Sequence, residues 1–189
     1  MFRIIVTAAV VVLAAPLRTG AAQAPTDGFW LEGGLGLGWA RVACDICDAG
    51  RPSGLTGHLA LGGRLATRVR LGAEADLWRS SGAGVPERLI SVAALAQWRI
   101  IPTVPLRVKA GVGYATYRVD DNVDVVTASG VGPVLGVAYE WRVSDRVGLG
   151  PYATLVIGTI AGQVSFNGTR VQDSANLNLL HIGAAATWR

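Results

Sequence analysis

Long apolar runs are what this sequence most plainly lacks. Apolar side chains make up 51% of its 189 residues, yet after residue 22 no stretch approaches 18 in a row. That excludes a helical membrane protein, whose spans need about 20. Lysine is nearly absent: Lys109 stands alone beside sixteen arginines. The net charge of +4 is small and spread along the chain, which gives a nucleic-acid partner no support. Two cysteines and two histidines fall short of an obvious closed zinc site, which wants four good ligands.

What is present begins with a leader. Met1-Phe2-Arg3 is a short positive segment, and Ile4 to Ala15 is apolar except for Thr7. Gly20-Ala21-Ala22 and Ala22-Gln23-Ala24 offer small-residue cleavage sites, and Pro25 after the second favours cutting after Ala22. The apolar run of about 12 residues is too short for an anchor, and no cysteine follows it to be lipidated. Residues 1–22 are therefore expected to be a signal peptide, and residues 23–189 one mature domain.

The mature chain alternates. In FWLEGGLGLGWA, Phe29, Leu31, Leu35, Leu37 and Trp39 share one face. The other carries Glu32, Gly34, Gly36, Gly38 and Ala40. Period-2 alternation is the mark of a strand. It returns at 55–66, 69–79, 88–100, 106–118, 130–142, 147–159 and 177–189, which predicts eight strands and no helix. The links after the second, fourth and sixth strands are short. Those after the first, third, fifth and seventh are mostly longer and polar: 44–54, 80–87, 120–129 and 161–176. Short turns on one rim and long loops on the other is the plan of a membrane barrel.

Alternation does not say which face is inside. A soluble barrel would enclose its leucines; three features argue for the inverse. The polar face is mostly Gly, Ala, Ser and Thr, which suits the cramped interior of an eight-stranded barrel. Trp98, Trp141 and Trp188 fall on the apolar face at the ends of strands four, six and eight, all on the short-turn rim, as an interfacial belt would. Leu180, Ile182, Ala184, Ala186 and Trp188 alternate up to the last residues. Each of these tryptophans is followed by an arginine on the opposite face (Arg99, Arg142 and Arg189), marking where each strand leaves the lipid. Trp78-Arg79, at the other rim, does not fit this scheme.

With the leader, the eight strands, the unequal rims and the aromatic last strand in hand, the chain resembles the small outer-membrane barrels of the OmpA and OmpX type. The likeness runs over residues 28–189 and is one of architecture. It implies an all-β, eight-stranded antiparallel transmembrane meander with short periplasmic turns and longer extracellular loops. It also implies that the barrel-assembly machinery reads the last strand at Trp188, although Arg189 follows that residue. Further implied partners are outer-membrane lipid and lipopolysaccharide, with a possible extracellular partner at the loops, and the barrel is expected to be monomeric.

The residues with chemical potential are few. Centring the first long loop near residue 48 sets Glu32 opposite Arg64. The tight turn then sets Arg64 opposite Arg70, with Glu74 and Asp76 further along the same face. Centring the third loop between 124 and 125 sets Lys109 opposite Glu140 and Arg107 opposite Arg142. A lumen ion-pair network is expected, because unpaired charge in a narrow barrel is costly; a gated polar pathway is the alternative. Cys44 and Cys47 read as a disulfide in an exported loop, with metal binding and redox chemistry as alternatives. Asp120, Asp121 and Asp124 are either solvated loop acids or a cation site.

Catalysis has no evident seat. The lipid A deacylases place a histidine two residues before a serine; here Ala60 follows His58 at that spacing and Gly183 follows His181. Too few residues precede the first strand for the amphipathic helix of the palmitoyltransferases. The expectation is a structural or surface-interaction protein without cofactor, metal or catalytic site. The alternative is a membrane-embedded lipid-modifying enzyme or a lipid- or small-ligand-binding barrel, with His58 beside Glu32, Glu74 or Asp76 as its best chance.

Overall fold

The computed structural model describes residues 28–43, 50–81, 84–121 and 123–189. The expected signal peptide (residues 1–22), Cys44 and Cys47 lie outside them. The strands are β1 (Phe29–Ala43), β2 (Ser53–Ala66), β3 (Val69–Ser80), β4 (Glu87–Arg99), β5 (Leu106–Asp120) and β6 (Val125–Tyr139). They continue with β7 (Trp141–Arg142), β8 (Val147–Gly158), β9 (Ile160–Phe166), β10 (Thr169–Gln172) and β11 (Asn176–Trp188). Neighbours pair antiparallel in the order β1-β2-β3-β4-β5-β6-β8-β11, and β11 pairs back onto β1 from Leu31↔Trp188 to Ala43↔Asn176. The sheet is thus a closed eight-stranded meander. β7 extends the β6 wall past Glu140, and β9 carries the β8 wall beyond the barrel along the start of β6.

Alternation sorts the side chains, and closure turns the apolar set outward. Leu35 is 76% exposed, Leu55 72% and Val112 62%, whereas Glu32, His58, Glu74, Asp76 and Lys109 are buried. This is the reverse of a soluble barrel. Trp98, Trp141 and Trp188 are exposed on the outer face at the turn-side rim.

Two registers differ from the sequence expectation. Glu32 faces Ala60, not Arg64, because the β1–β2 link is effectively shorter and pairing runs out to Trp39↔Ser53. Lys109 faces Gly136 and Arg107 faces Ala138, not Glu140 and Arg142, because β5 and β6 continue to Asp120↔Val125. Both shifts are of four residues. An even slip keeps every side chain on its face, so the lumen set survives while its neighbours change. Arg64 does face Arg70.

Two of the long loops are also largely strand. The run Val125-Val126-Thr127 is β-branched and extends β6. Asn167 (φ 48°) and Gly168 (φ 80°) form a tight two-residue turn that folds β9 onto β10. The turn is tied down on the β5–β6 hairpin: Val125 N–H donates to Asn167 Oδ1 at 2.8 Å, and Asn167 Nδ2 donates to Asp124 Oδ1 at 2.9 Å.

The density of glycine has a spatial cause. Large lumen side chains lie where a Cβ would sit: a Cβ on Gly136 would come within 2.5 Å of Lys109 Cε and 2.7 Å of the Ala153 carbonyl oxygen. On the outer face, a Cβ on Gly57 would meet nothing within 4 Å. Gly136→Val should therefore destabilise the barrel by about 1–3 kcal/mol through overpacking, while Gly57→Val should stay within about 0.5 kcal/mol. Urea unfolding of both variants in micelles distinguishes them, and equal losses would refute the spatial explanation.

Candidate functional site

The lumen divides into two halves. On the turn side the inward positions of β1 to β5 bring Trp30, Glu32, His58, Arg70, Glu74, Asp76, Gln97, Arg107 and Lys109 together, all buried. On the loop side Ala40, Trp78, Leu89, Ala115, Val156, Leu177 and Leu179 pack into an apolar layer.

The ionic half is paired across the lumen more than along its wall. Lys109 Nζ on β5 donates to Glu74 Oε2 on β3 at 2.5 Å. Arg107 donates through Nη2 to Glu32 Oε2 at 2.6 Å and through Nη1 to Gln97 Oε1 at 2.9 Å, and its Nη2 lies 3.0 Å from Glu140 Oε2. Thr187 Oγ1 donates to Glu32 Oε2 at 2.8 Å. Arg189 also contacts Glu140, and Arg70 Nη1 lies 4.0 Å away. Arg64 and Arg142 stand exposed at the mouth, outside the buried network. Residues on strands far apart in sequence thus share each acid, which pairing with the next strand alone could not reveal.

His58 sits at the centre. Its ring bonds Asp76 Oδ1 through Nδ1 at 2.9 Å and Glu32 Oε1 through Nε2 at 3.2 Å. Tyr152 stacks on it at 4.8 Å between centroids, and His181 meets Tyr152 edge-on at 5.4 Å. Ser91 Oγ donates to Asp76 Oδ2 at 2.9 Å. The serine therefore bonds the carboxylate and not the imidazole, so the serine–histidine contact of an activated nucleophile is not formed here. His58, Glu74 and Asp76 place ligand-capable atoms within 4.8 Å of one another. Lys109 already supplies Glu74 with a cation and Ser91 engages Asp76, so the group works as an ion-pair network. Sequence reasoning flagged His58 but missed Tyr152 and His181 beside it, and Ser91, Gln97 and Thr187 elsewhere in the network; their inward parity was the available signal.

Above the apolar layer the lumen opens at the loop-side mouth into a cavity of about 590 Å³, lined by Ala40, Val42, Val119, Val126, Val164 and Phe166 among others. At its edge Tyr117 stacks on Trp78 with centroids 6.1 Å apart and donates its hydroxyl to Glu87. Trp78 Nε1 is held by the Gly38 carbonyl at 3.0 Å. The loop acids are engaged locally. Asp120 pairs with Arg118 at 2.8 Å, and the amides of Asp124 and Val123 hold the Asp121 carboxyl below the usual range.

Truncating Lys109 would strand the buried Glu74 carboxylate. Lys109→Met is expected to cost about 3–5 kcal/mol, and adding Glu74→Gln should restore most of it. Equilibrium unfolding of the single and double variants tests this; a double variant no better than the single one would show that the pair is not coupled.

No protein-family model matches the sequence, and no curated protein matches it. Solved structures do. The fold is similar to Neisserial surface protein A, with a TM-score of 0.54 and 17% identity over 85% of this chain and 96% of that one. It is also similar to Ail, the attachment invasion locus protein of Yersinia pestis, with a TM-score of 0.52 and 13% identity over 85% of this chain and 99% of that one. Ail has also been solved with the heparin analogue sucrose octasulfate, and that structure matches at a TM-score of 0.51 and 12% identity over the same shares, 85% and 99%. Identities this low speak for fold alone: the chain is built as a small eight-stranded barrel of the outer-membrane type.

Proposed function

We propose that this is an exported, monomeric barrel of the bacterial outer membrane that acts at its outer mouth by binding rather than by conduction. Residues 1–22 are the signal peptide, the short turns face the periplasm, and the loop-side rim faces outward. The observation that carries this reading is the inverted lumen: a leucine- and valine-covered wall encloses a buried ionic core. In water such a wall would be a large apolar patch, whereas in lipid it is the required surface. Trp98, Trp141 and Trp188 are then the inner interfacial anchors, and Trp188 lies in the strand that the assembly machinery reads. Lipopolysaccharide is the lipid against the loop-side half.

The core also argues against a pore. Paired charges fill one half of the lumen and Trp78, Leu89, Leu177 and Leu179 close the other, as expected at eight strands. What remains for function is the outer rim, where the β9–β10 hairpin projects and where Cys44 and Cys47 would close a small loop by a disulfide. Surface attachment is the leading role, and Ail's name and heparin-analogue complex show that a barrel of this fold can carry one.

A second reading is favoured by the cavity at that mouth. About 590 Å³ of mostly apolar space with one polar pair, Glu87 and Tyr117, suits a small apolar ligand carrying a hydrogen-bonding end. A lipid-modifying enzyme finds less support, because the buried serine lies behind a carboxylate.

Orientation is tested by single cysteines in a Cys44→Ser/Cys47→Ser background. A membrane-impermeant maleimide should label Asp173→Cys on intact cells and Thr67→Cys only after the outer membrane is opened. The reverse order would overturn the proposal. For the cavity, Ala128→Trp should abolish saturable binding of the apolar probe N-phenyl-1-naphthylamine by the folded barrel; undiminished binding would remove the ligand reading.

A further inference from the structure

The tryptophan–arginine pairs do more than place indoles on the outer face. Because side chains alternate, the arginine after each tryptophan points to the lumen side. Arg99, Arg142 and Arg189 are therefore set around the turn-side mouth, with Arg64 on β2 joining them and Arg70 and Arg107 buried just beneath. Their charges act on one another: Arg99 feels Arg107, Arg64 and Arg142, while Arg189 feels Arg107, Arg99 and Arg64. Arg70 feels Arg107, Arg189 and Arg64.

Among the described residues, the carboxylates in ionic contact with these six guanidinium groups are Glu32 and Glu140. Glu32 is shared with His58 and Thr187, and Glu140 is shared by three arginines. Glu74, deeper in, is taken by Lys109. On the same rim, Asp145 is exposed in the β7–β8 turn beside Arg146. The mouth thus carries four positive charges that Glu32 and Glu140 do not balance. Hydrogen bonding is incomplete as well: Arg70 Nη1, Arg107 Nε and Arg189 Nε are buried without an acceptor, and neither Glu140 carboxylate oxygen, though in ionic contact, is hydrogen-bonded. Arg70 and Arg107 are buried, so like charges beside them are costly, and buried donors without acceptors add to that cost; Arg64 and Arg142 stand in water.

We propose that the turn-side mouth is a binding site for a multiply charged phosphate, supplied either as a free anion or as a lipid headgroup. Guanidinium forks match phosphate oxygens two at a time. Arg64 and Arg142 are exposed, so the site is open to solvent from the turn side. The assignment goes beyond the outer-mouth reading and does not depend on it.

The test titrates inorganic pyrophosphate into the folded mature barrel in nonionic detergent by calorimetry. Saturable binding is expected in the native protein, weakened at least about tenfold, or 1.4 kcal/mol, in Arg99→Gln/Arg142→Gln. It should be unchanged within about twofold in Arg68→Gln/Arg146→Gln, whose arginines sit in the turns. If the double mouth variant does not fold, Arg142→Gln alone, at an exposed position, carries the same expectation with a smaller loss. Native mass spectrometry from nanodiscs containing cardiolipin, whose headgroup carries two phosphates, identifies the source: lipid retained by the native barrel and lost in the mouth variant makes the headgroup the ligand. The proposal is overturned if neither pyrophosphate nor lipid binds, or if the turn variant loses binding as fully as the mouth variant.

Discussion

Closure of β1 onto β11 is the constraint on which the rest depends. Thirteen residue pairs join the first strand to the last, so the ring has no free edge along that seam. A closed ladder satisfies the backbone internally, which is what allows a sheet to sit in lipid at all. It also creates an interior too narrow for most side chains. The glycines, the sparse large lumen residues and the tight charge pairing all follow from that one geometric fact.

The pairing then follows from dielectric cost. A carboxylate inside this wall cannot reach bulk water, so each is met by a cation or by donors from strands across the lumen. Lys109 reaches Glu74, Arg107 reaches Glu32, and His58 bridges Glu32 and Asp76. Such a network holds distant strands together through a few side chains. It concentrates sensitivity to mutation in the turn-side half, while the loop-side half is held by Trp78, Leu89, Leu177 and Leu179. Function is thereby pushed to the mouths, where the packing ends: an apolar opening on one rim, a basic one on the other.

Much of this was legible in the sequence, and for a reason. Period-2 alternation survives any even register error, so the eight walls, their inward faces and the outward tryptophans could be read without the structure. Registers across the long loops could not, since they depend on loop geometry: the pairings of Glu32 and Lys109 were each displaced by four residues, whereas the tight turn did set Arg64 opposite Arg70. Nor could contacts across the lumen, which depend on closure and not on neighbouring strands. The apolar loop-side half was overlooked because Leu177 and Leu179 lie in a run with apolar residues on both faces. The β9–β10 hairpin was hidden by its polar composition, although Asn167-Gly168 marked its turn.

The most direct test of the central claim is the migration of the detergent-extracted protein on a gel with and without boiling. A closed barrel with lipid outside and charge inside resists detergent until heated, so the unboiled sample should run faster than the boiled one. A protein recovered in the soluble periplasmic fraction, with identical migration in both samples, would contradict the account and put the leucine faces back inside.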